Sequence, residues 1–522
     1  MYVRGIRINI IWTVLIVLVL IYVVVLLWVL RSPKAKELNL SLRGLIVVYT
    51  TQRGKGAMDR VGSYRRFCSG LAVFSKVVSA VLMLIMVFLM LVAAYNIPSV
   101  IKGSTASAVG TGGFELNMVH FLVFGVIALI IAMVIHEFAH GVQSRANDVR
   151  VEQSGLMYAV VPLGAFVEMN KEDSDKASLK SRMSIYSAGV ASNFIVAVIA
   201  FVVLAGLMLA PLGNASDIHD DSAGVYAVSS NFGSVIPVGA VITHVDGDEV
   251  YIMDSGSDKI LTIDSKYSND KYTIKYLTRD GEGTIDDFRL GLYVDFVAKN
   301  SPAHVAGMVS NSIITNIQVN GEDTKMFGIE SFRDFIAGSS PGDEATISYF
   351  DDKNEGKTAT VTLGQNGDVG YIGVGVNYSG MSFIAPKDVI GTAMNPIYGQ
   401  TTVIGGVLSM ISYPFISLSG FSPMPEAFQW WFDAPGGEIF WLLAAFIYWM
   451  FWVNFLLGVT NALPAIPFDG GFLFKGWVTQ LLNKISYRDQ ETREKIADNV
   501  TRAVSGFMLF LLALIIFVII LY

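Results

Sequence analysis

The chain has 522 residues, of which 53% are hydrophobic and only 16% charged. An ordinary soluble domain carries about 25% charged residues, so this composition excludes one and calls for several membrane-spanning helices. The net charge of −7 argues against nucleic acid as a partner, and the single cysteine, Cys68, leaves no intrachain disulfide and no cysteine-built zinc site.

A helix needs about 20 apolar residues to cross a bilayer. Six runs meet that length, near residues 8–30, 77–97, 118–140, 184–211, 439–460 and 504–522. The first is too long for a signal-peptide core and no small-residue cleavage site follows it, so it reads as a membrane span. The loop after it carries Arg31, Lys34, Lys36, Arg43, Arg53, Lys55, Arg60, Arg65, Arg66 and Lys76. By the positive-inside rule that loop is cytoplasmic, and its charges suit anionic lipid headgroups. Cys68 reads as an inert thiol of the same loop. The first two spans and the last carry no motif and read as peripheral.

The third run ends in Val134-Ile-His136-Glu137-Phe-Ala-His140. Positions four apart share one helix face, so His136 and His140 can hold one metal ion, with Glu137 beside them as a general base. Ionisable groups at the end of an apolar span are costly and usually functional. His120 is about 24 Å of helix away from His136 and cannot join that site. A catalytic zinc site takes three protein ligands. Glu168, just after Pro162-Leu-Gly-Ala-Phe-Val167, is one source of the third. The fourth run opens with Gly189-Val-Ala-Ser-Asn193.

Residues 212–385 hold 25 acidic and 11 basic residues, a net of −14 against about +7 for the rest of the chain. Short alternating runs punctuated by Gly, Asp and Asn make this block β-rich. It reads as duplicated, since Val241-Ile-Thr-His-Val-Asp-Gly echoes Ile313-Ile-Thr-Asn-Ile-Gln-Val-Asn-Gly. With Ser301-Pro-Ala-His-Val-Ala-Gly307 upstream, the pattern resembles tandem PDZ domains, over residues 212–290 and 291–385. A PDZ groove takes an extended peptide as an added strand. By alternation of the spans this block is extracytoplasmic. Residues 386–438 read as an interfacial or re-entrant segment centred on 393–421, with Trp430, Trp431 and Trp441 in an interfacial belt.

The fifth run leads into Asn461-Ala-Leu-Pro464-Ala-Ile-Pro467-Phe-Asp469-Gly470-Gly471. The prolines break the helix and the glycines permit a tight turn, so Asp469 can reach a metal and is a second source of the third ligand beside Glu168. If 393–421 does not cross, the third and fifth spans run the same way, and both motifs end near the cytoplasmic side.

Three motifs together resemble the site-2 proteases, intramembrane zinc metalloproteases. HEFAH matches the family's HExxH, Asn461–Gly470 its NxxPxxPxDG segment, and Gly189–Asn193 its GxxxN element. The resemblance implies one zinc ion per chain, held by His136, His140 and Asp469, with Glu137 activating the water. It implies that Asn461 and Asn193 bind substrate. The expected fold is a polytopic α-helical membrane protein of about six transmembrane helices with an inserted, β-rich, tandem PDZ-like region. Its parts are residues 1–118 (N-terminal spans and basic loop), 119–211 and 439–480 (catalytic membrane core), the two PDZ-like copies, 386–438, and 481–522 (cytoplasmic linker and last span). The implied activity is cleavage of single-span membrane proteins in the bilayer of a cell's plasma membrane. The alternative is a catalytically inactive membrane adaptor that binds peptides through its PDZ-like domains. A metal transporter would need ionisable residues along several spans, and here they cluster at one depth on two.

Overall fold

The computed structural model describes residues 17, 19–101, 121–160, 162–209, 213–228, 236–255, 258–261, 271–289, 291–319, 321–326, 329–378, 381–389, 423–424, 426–485 and 489–521. The segment 393–421 and His120 lie outside the described residues, as does most of 8–18. The chain forms two compact units. One comprises Met1–Val109, Leu116–Leu204 and Leu443–Tyr522; the other comprises Gly110–Glu115 and Ala205–Leu442.

The first unit is helical. Helix α1 covers Val19–Arg31. The others are α2 (Lys55–Gly62), α3 (Arg65–Ile101), α4 (Val126–Ala146), α5 (Leu179–Leu209), α6 (Glu438–Asn461), α7 (Asp469–Ile485) and α8 (Gln490–Leu521). Five of them, α3, α4, α5, α6 and α8, are long and apolar enough to cross a membrane. They leave apolar side chains such as Leu84, Phe88, Ile199 and Val202 exposed, as a lipid-facing helix does. The chain is thus a multi-pass membrane protein. Helix α1, within the first expected run, is shorter.

The same unit holds a small sheet. Strands β1 (Leu40–Arg43), β2 (Ile46–Thr51), β3 (Val151–Tyr158) and β4 (Pro162–Met169) pair antiparallel in that order. A tight turn with Gly44 at φ +65° joins β1 to β2. The basic loop, expected only to be cytoplasmic, therefore supplies half of the sheet. Its β2 covers the edge that β3 would otherwise expose. Helix α1 lies on this hairpin: Val29, Leu26, Leu40, Leu42, Val47 and Tyr158 form one cluster. Helix α2 packs on α4 through Met58, and a Cβ on Gly141 would lie 2.4 Å from Met58 Sδ. Cys68 lies in the first turn of α3, buried in that cluster.

The second unit contains two sheets with the same strand plan. Strands β6 (Ala223–Val228), β7 (Val241–Val245), β8 (Tyr272–Thr278), β9 (Gly281–Phe288) and β15 (Met381–Ile384) run β9-β8-β7-β6-β15. Strands β10 (Leu292–Val297), β11 (Ser312–Val319), β12 (Glu344–Phe350), β13 (Gly356–Thr362) and β14 (Val374–Tyr378) run β13-β12-β11-β10-β14. All these pairings are antiparallel, and each sheet buries its own aliphatic core.

The duplication is nested where the sequence suggested it was serial. Strand β15, beyond the whole second sheet, pairs with β6 and closes the first. The physical reason is burial: β15 carries Phe383 into the core of the first sheet. Outside the sheets, β5 (Gly213–Asn214), just after α5, pairs with β16 (Phe432–Asp433), just before α6. Trp430 and Trp431 both donate their indole N–H to the Gly239 carbonyl, at 3.1 and 2.9 Å. Trp431 is fully buried, so these two indoles anchor the chain on the first sheet and do not form the expected interfacial belt.

Candidate metal centre

His136 and His140 lie one turn apart on α4, both buried, with ring centroids 4.7 Å apart. Helix α5 crosses this face with a stripe of the same period: Ile185, Gly189 and Asn193. His140 Nδ1 donates to the Ile185 carbonyl at 2.8 Å, and His136 Nδ1 lies 3.2 Å from Asn193 Oδ1. Between these contacts, a Cβ on Gly189 would lie 2.4 Å from His140 Nε2 and 2.6 Å from His136 Nε2. Only glycine leaves room for the two ring nitrogens at that point.

Asp469 enters from the other side. Pro464 and Pro467 interrupt the helical path after Asn461, and Asp469 opens α7. A Cβ on Gly470 would lie 2.2 Å from the Ala462 carbonyl oxygen, and one on Gly471 2.6 Å from the Ala465 carbonyl carbon. The glycine pair is what lets α7 start so close to the end of α6. Leu463 and Ala465 are fully buried among Met90 of α3 and Met508 and Leu511 of α8. The Ile466 N–H donates to Ser505 Oγ of α8 at 3.1 Å. Two of the spans without motifs, α3 and α8, therefore form the socket of this turn, and Tyr186 of α5 stacks on Phe472 of α7 at 4.7 Å.

The outcome is convergence. Asp469 Oδ2 lies 3.0 Å from His136 Nε2 and 3.1 Å from His140 Nε2. Each Nδ1 faces an oxygen acceptor, to which a ring N–H can donate, and each Nε2 faces the Asp469 carboxylate. Three acceptors so close repel unless a proton or a cation lies among them. The spacing is near the roughly 3.3 Å edge of a tetrahedron with bonds of about 2.0–2.1 Å. The three groups could together hold a divalent metal ion.

Glu137 is beside them: its carboxylate and ligand atoms of His136 and His140 all lie within 4.8 Å of one another. Its Oε2 accepts the Val167 N–H of β4 at 2.9 Å. Val167 uses the side of β4 away from β3; among the described residues β4 is the outer strand of its sheet. Asn461 donates its Nδ2 to the Leu457 carbonyl of its own helix at 3.0 Å. Glu168 is exposed and accepts from Gln153. Sequence reasoning missed the Ile185 carbonyl and the Val167 N–H, which no residue type announces. The Ile185–Gly189–Asn193 stripe was visible as a match to the four-residue period of the histidines.

Residues 124–511 match peptidase family M50. The chain belongs to that family, the site-2 protease family. M50 is a family of zinc-dependent metalloproteases. Over 184 residues it is 28% identical to uncharacterized protein MJ0971 of Methanocaldococcus jannaschii, which covers 34% of this chain and 48% of that one. The match spans about half of that relative's length.

Proposed function

We propose that this M50 protein is an intramembrane zinc endopeptidase that cuts single-span membrane proteins within or beside the bilayer. The observation that carries the reading is the convergence of Asp469 on both histidines across 329 residues of sequence. In this reading His136, His140 and Asp469 hold one zinc ion. Zinc there supplies a Lewis acid that makes water nucleophilic near neutral pH.

The chain's own groups do the rest. Glu137, held by the Val167 N–H, takes the proton from the attacking water and passes it to the leaving amine. A membrane helix hides its peptide bonds and must unwind before attack. The outer edge of β4 offers backbone donors and acceptors to such an extended segment, next to Glu137. Asn461 supplies a further amide to the substrate strand. Six spans are counted when residues 8–30 cross as a unit. The positive-inside rule applied to the basic loops supports a metal site near the cytoplasmic side of a plasma membrane, with the acidic block outside. The repeated strand plan supports two PDZ-like modules, which sort substrates by size or bind a trimmed end.

The test is cleavage of a single-span reporter by purified enzyme in detergent, beside Glu137→Gln. Wild type is expected to cut and to lose activity with a chelator. Glu137→Gln is expected to be about 10²–10⁴-fold slower with its zinc content unchanged. Equal rates for the two proteins would sink the assignment of Glu137.

A further inference from the structure

The resemblance casts Asn193 as a substrate contact, but its surroundings point elsewhere. Asn193 is fully buried. Its Nδ2 donates to the Ala132 carbonyl at 3.4 Å. That carbonyl accepts only, so the amide is oriented with Oδ1 towards His136 Nδ1, 3.2 Å away. Gly458 of α6 covers it from behind: a Cβ there would lie 3.5 Å from Asn193 Cβ. Both ends of the amide are occupied and its side chain is enclosed, which leaves no face for an incoming peptide.

We propose that Asn193 is a positioning residue for His136. It accepts the Nδ1 proton, holds the imidazole in one tautomer and one rotation, and so aims the Nε2 lone pair at the point where Asp469 Oδ2 and His140 Nε2 meet. The Ile185 carbonyl does the same for His140. On this account α5 is the aiming helix of the centre. Its 185, 189 and 193 positions orient one histidine, admit both nitrogens and orient the other. The antiparallel register of α4 and α5 makes this possible, since His140 meets residue 185 and His136 meets residue 193. The backbone carbonyl cannot be mutated away, so the side chain of Asn193 is the half of the device that substitution can reach.

This inference rests on the zinc reading of the site, and one pair of variants separates it from a role in helix packing. Asn193→Asp keeps the acceptor for Nδ1–H and loses the donor to Ala132. Asn193→Leu keeps the volume and loses both. Zinc affinity, measured by competition with a chromogenic chelator, is expected to fall about 10–100-fold in Asn193→Leu and to stay near wild type in Asn193→Asp. In the zinc-free full-length protein, nitrogen and proton spectra of labelled histidine are expected to show the His136 Nδ1–H as hydrogen-bonded in wild type and Asn193→Asp, and to lose that signature in Asn193→Leu. Equal loss of zinc affinity in both variants means that the bond to Ala132 matters and overturns the proposal. An unchanged Nδ1–H signal in Asn193→Leu also overturns it. A wild type that binds no zinc overturns the function reading instead, and the Nδ1–H spectra still decide the role of Asn193.

Discussion

His136 and His140 sit one turn apart on one helix, whereas Asp469 arrives 329 residues later on a turn between two others. The first pair needs only helical periodicity and a neighbouring helix with matching spacing. Asp469, the proposed third ligand, needs a broken helix, two glycines against backbone, and a socket built by α3 and α8. The near pair is thus placed by local geometry and the far carboxylate by packing. The helices that place it look dispensable in sequence because an apolar socket has no motif.

Substitutions on the two sides can break that contrast or sharpen it. The largest effect on zinc content is expected at Gly189→Ala, whose methyl would lie 2.4 and 2.6 Å from the two Nε2 atoms. The helices must separate or the rings must turn. Metal analysis is expected to find far less than one zinc per chain, with an overpacking cost of about 1–3 kcal/mol. Full zinc content in that variant would mean that α5 does not shape the centre.

On the far side, Met508→Ala opens a cavity beside Leu463 and Ala465, and is expected to cost about 2–5 kcal/mol in unfolding experiments. It is also expected to weaken zinc without touching a ligand. If stability falls while zinc affinity holds, the socket is only scaffold. A smaller effect is expected from Ser505→Ala, which strips the Ile466 N–H of its partner and should cost about 1–3 kcal/mol. Its signature is faster hydrogen exchange at Ile466 than in wild type.

The smallest effect concerns the second unit, whose sheets stand on their own cores. Lys357 Nζ, 2.5 Å away, and the backbone N–H groups of Glu355 and Lys353 hold the Asp351 carboxyl below its ordinary value. A carboxylate so lowered stabilises the fold above its unfolded value, near pH 3.9, and the contribution is lost as pH falls through the lower folded value. Protection of the 351–362 hairpin against hydrogen exchange, relative to the intrinsic rate at each pH, is therefore expected to fall below about pH 4 in the full-length protein. In Asp351→Asn this acid-dependent step should vanish. An unchanged step would assign it to other carboxylates.

Much of the candidate site was legible because its residues are rare where they stand. His136, Glu137 and His140 end an apolar run, and Asp469 follows a helix-breaking segment. Legibility failed where the decisive group is a backbone atom or a partner strand. The Val167 N–H and the Ile185 carbonyl belong to residues that look like ordinary core. Strand β1 and strand β2 sat within a stretch that charge alone made a cytoplasmic loop. Trp430 and Trp431 resembled a membrane belt because an indole suits any boundary between apolar and polar surroundings. The Gly239 carbonyl decided which boundary it was.

By itself, the sequence determined the membrane class, the long apolar helices, the duplicated β block and the identity of the residues that meet. These follow from local rules of apolar length, periodicity and side-chain chemistry. Tertiary structure alone decided that Asp469 lies against both histidines, that β15 closes the first sheet across the whole of the second, and that Asn193 faces His136. Each depends on which distant surfaces bury one another, and a residue's type does not record its partner.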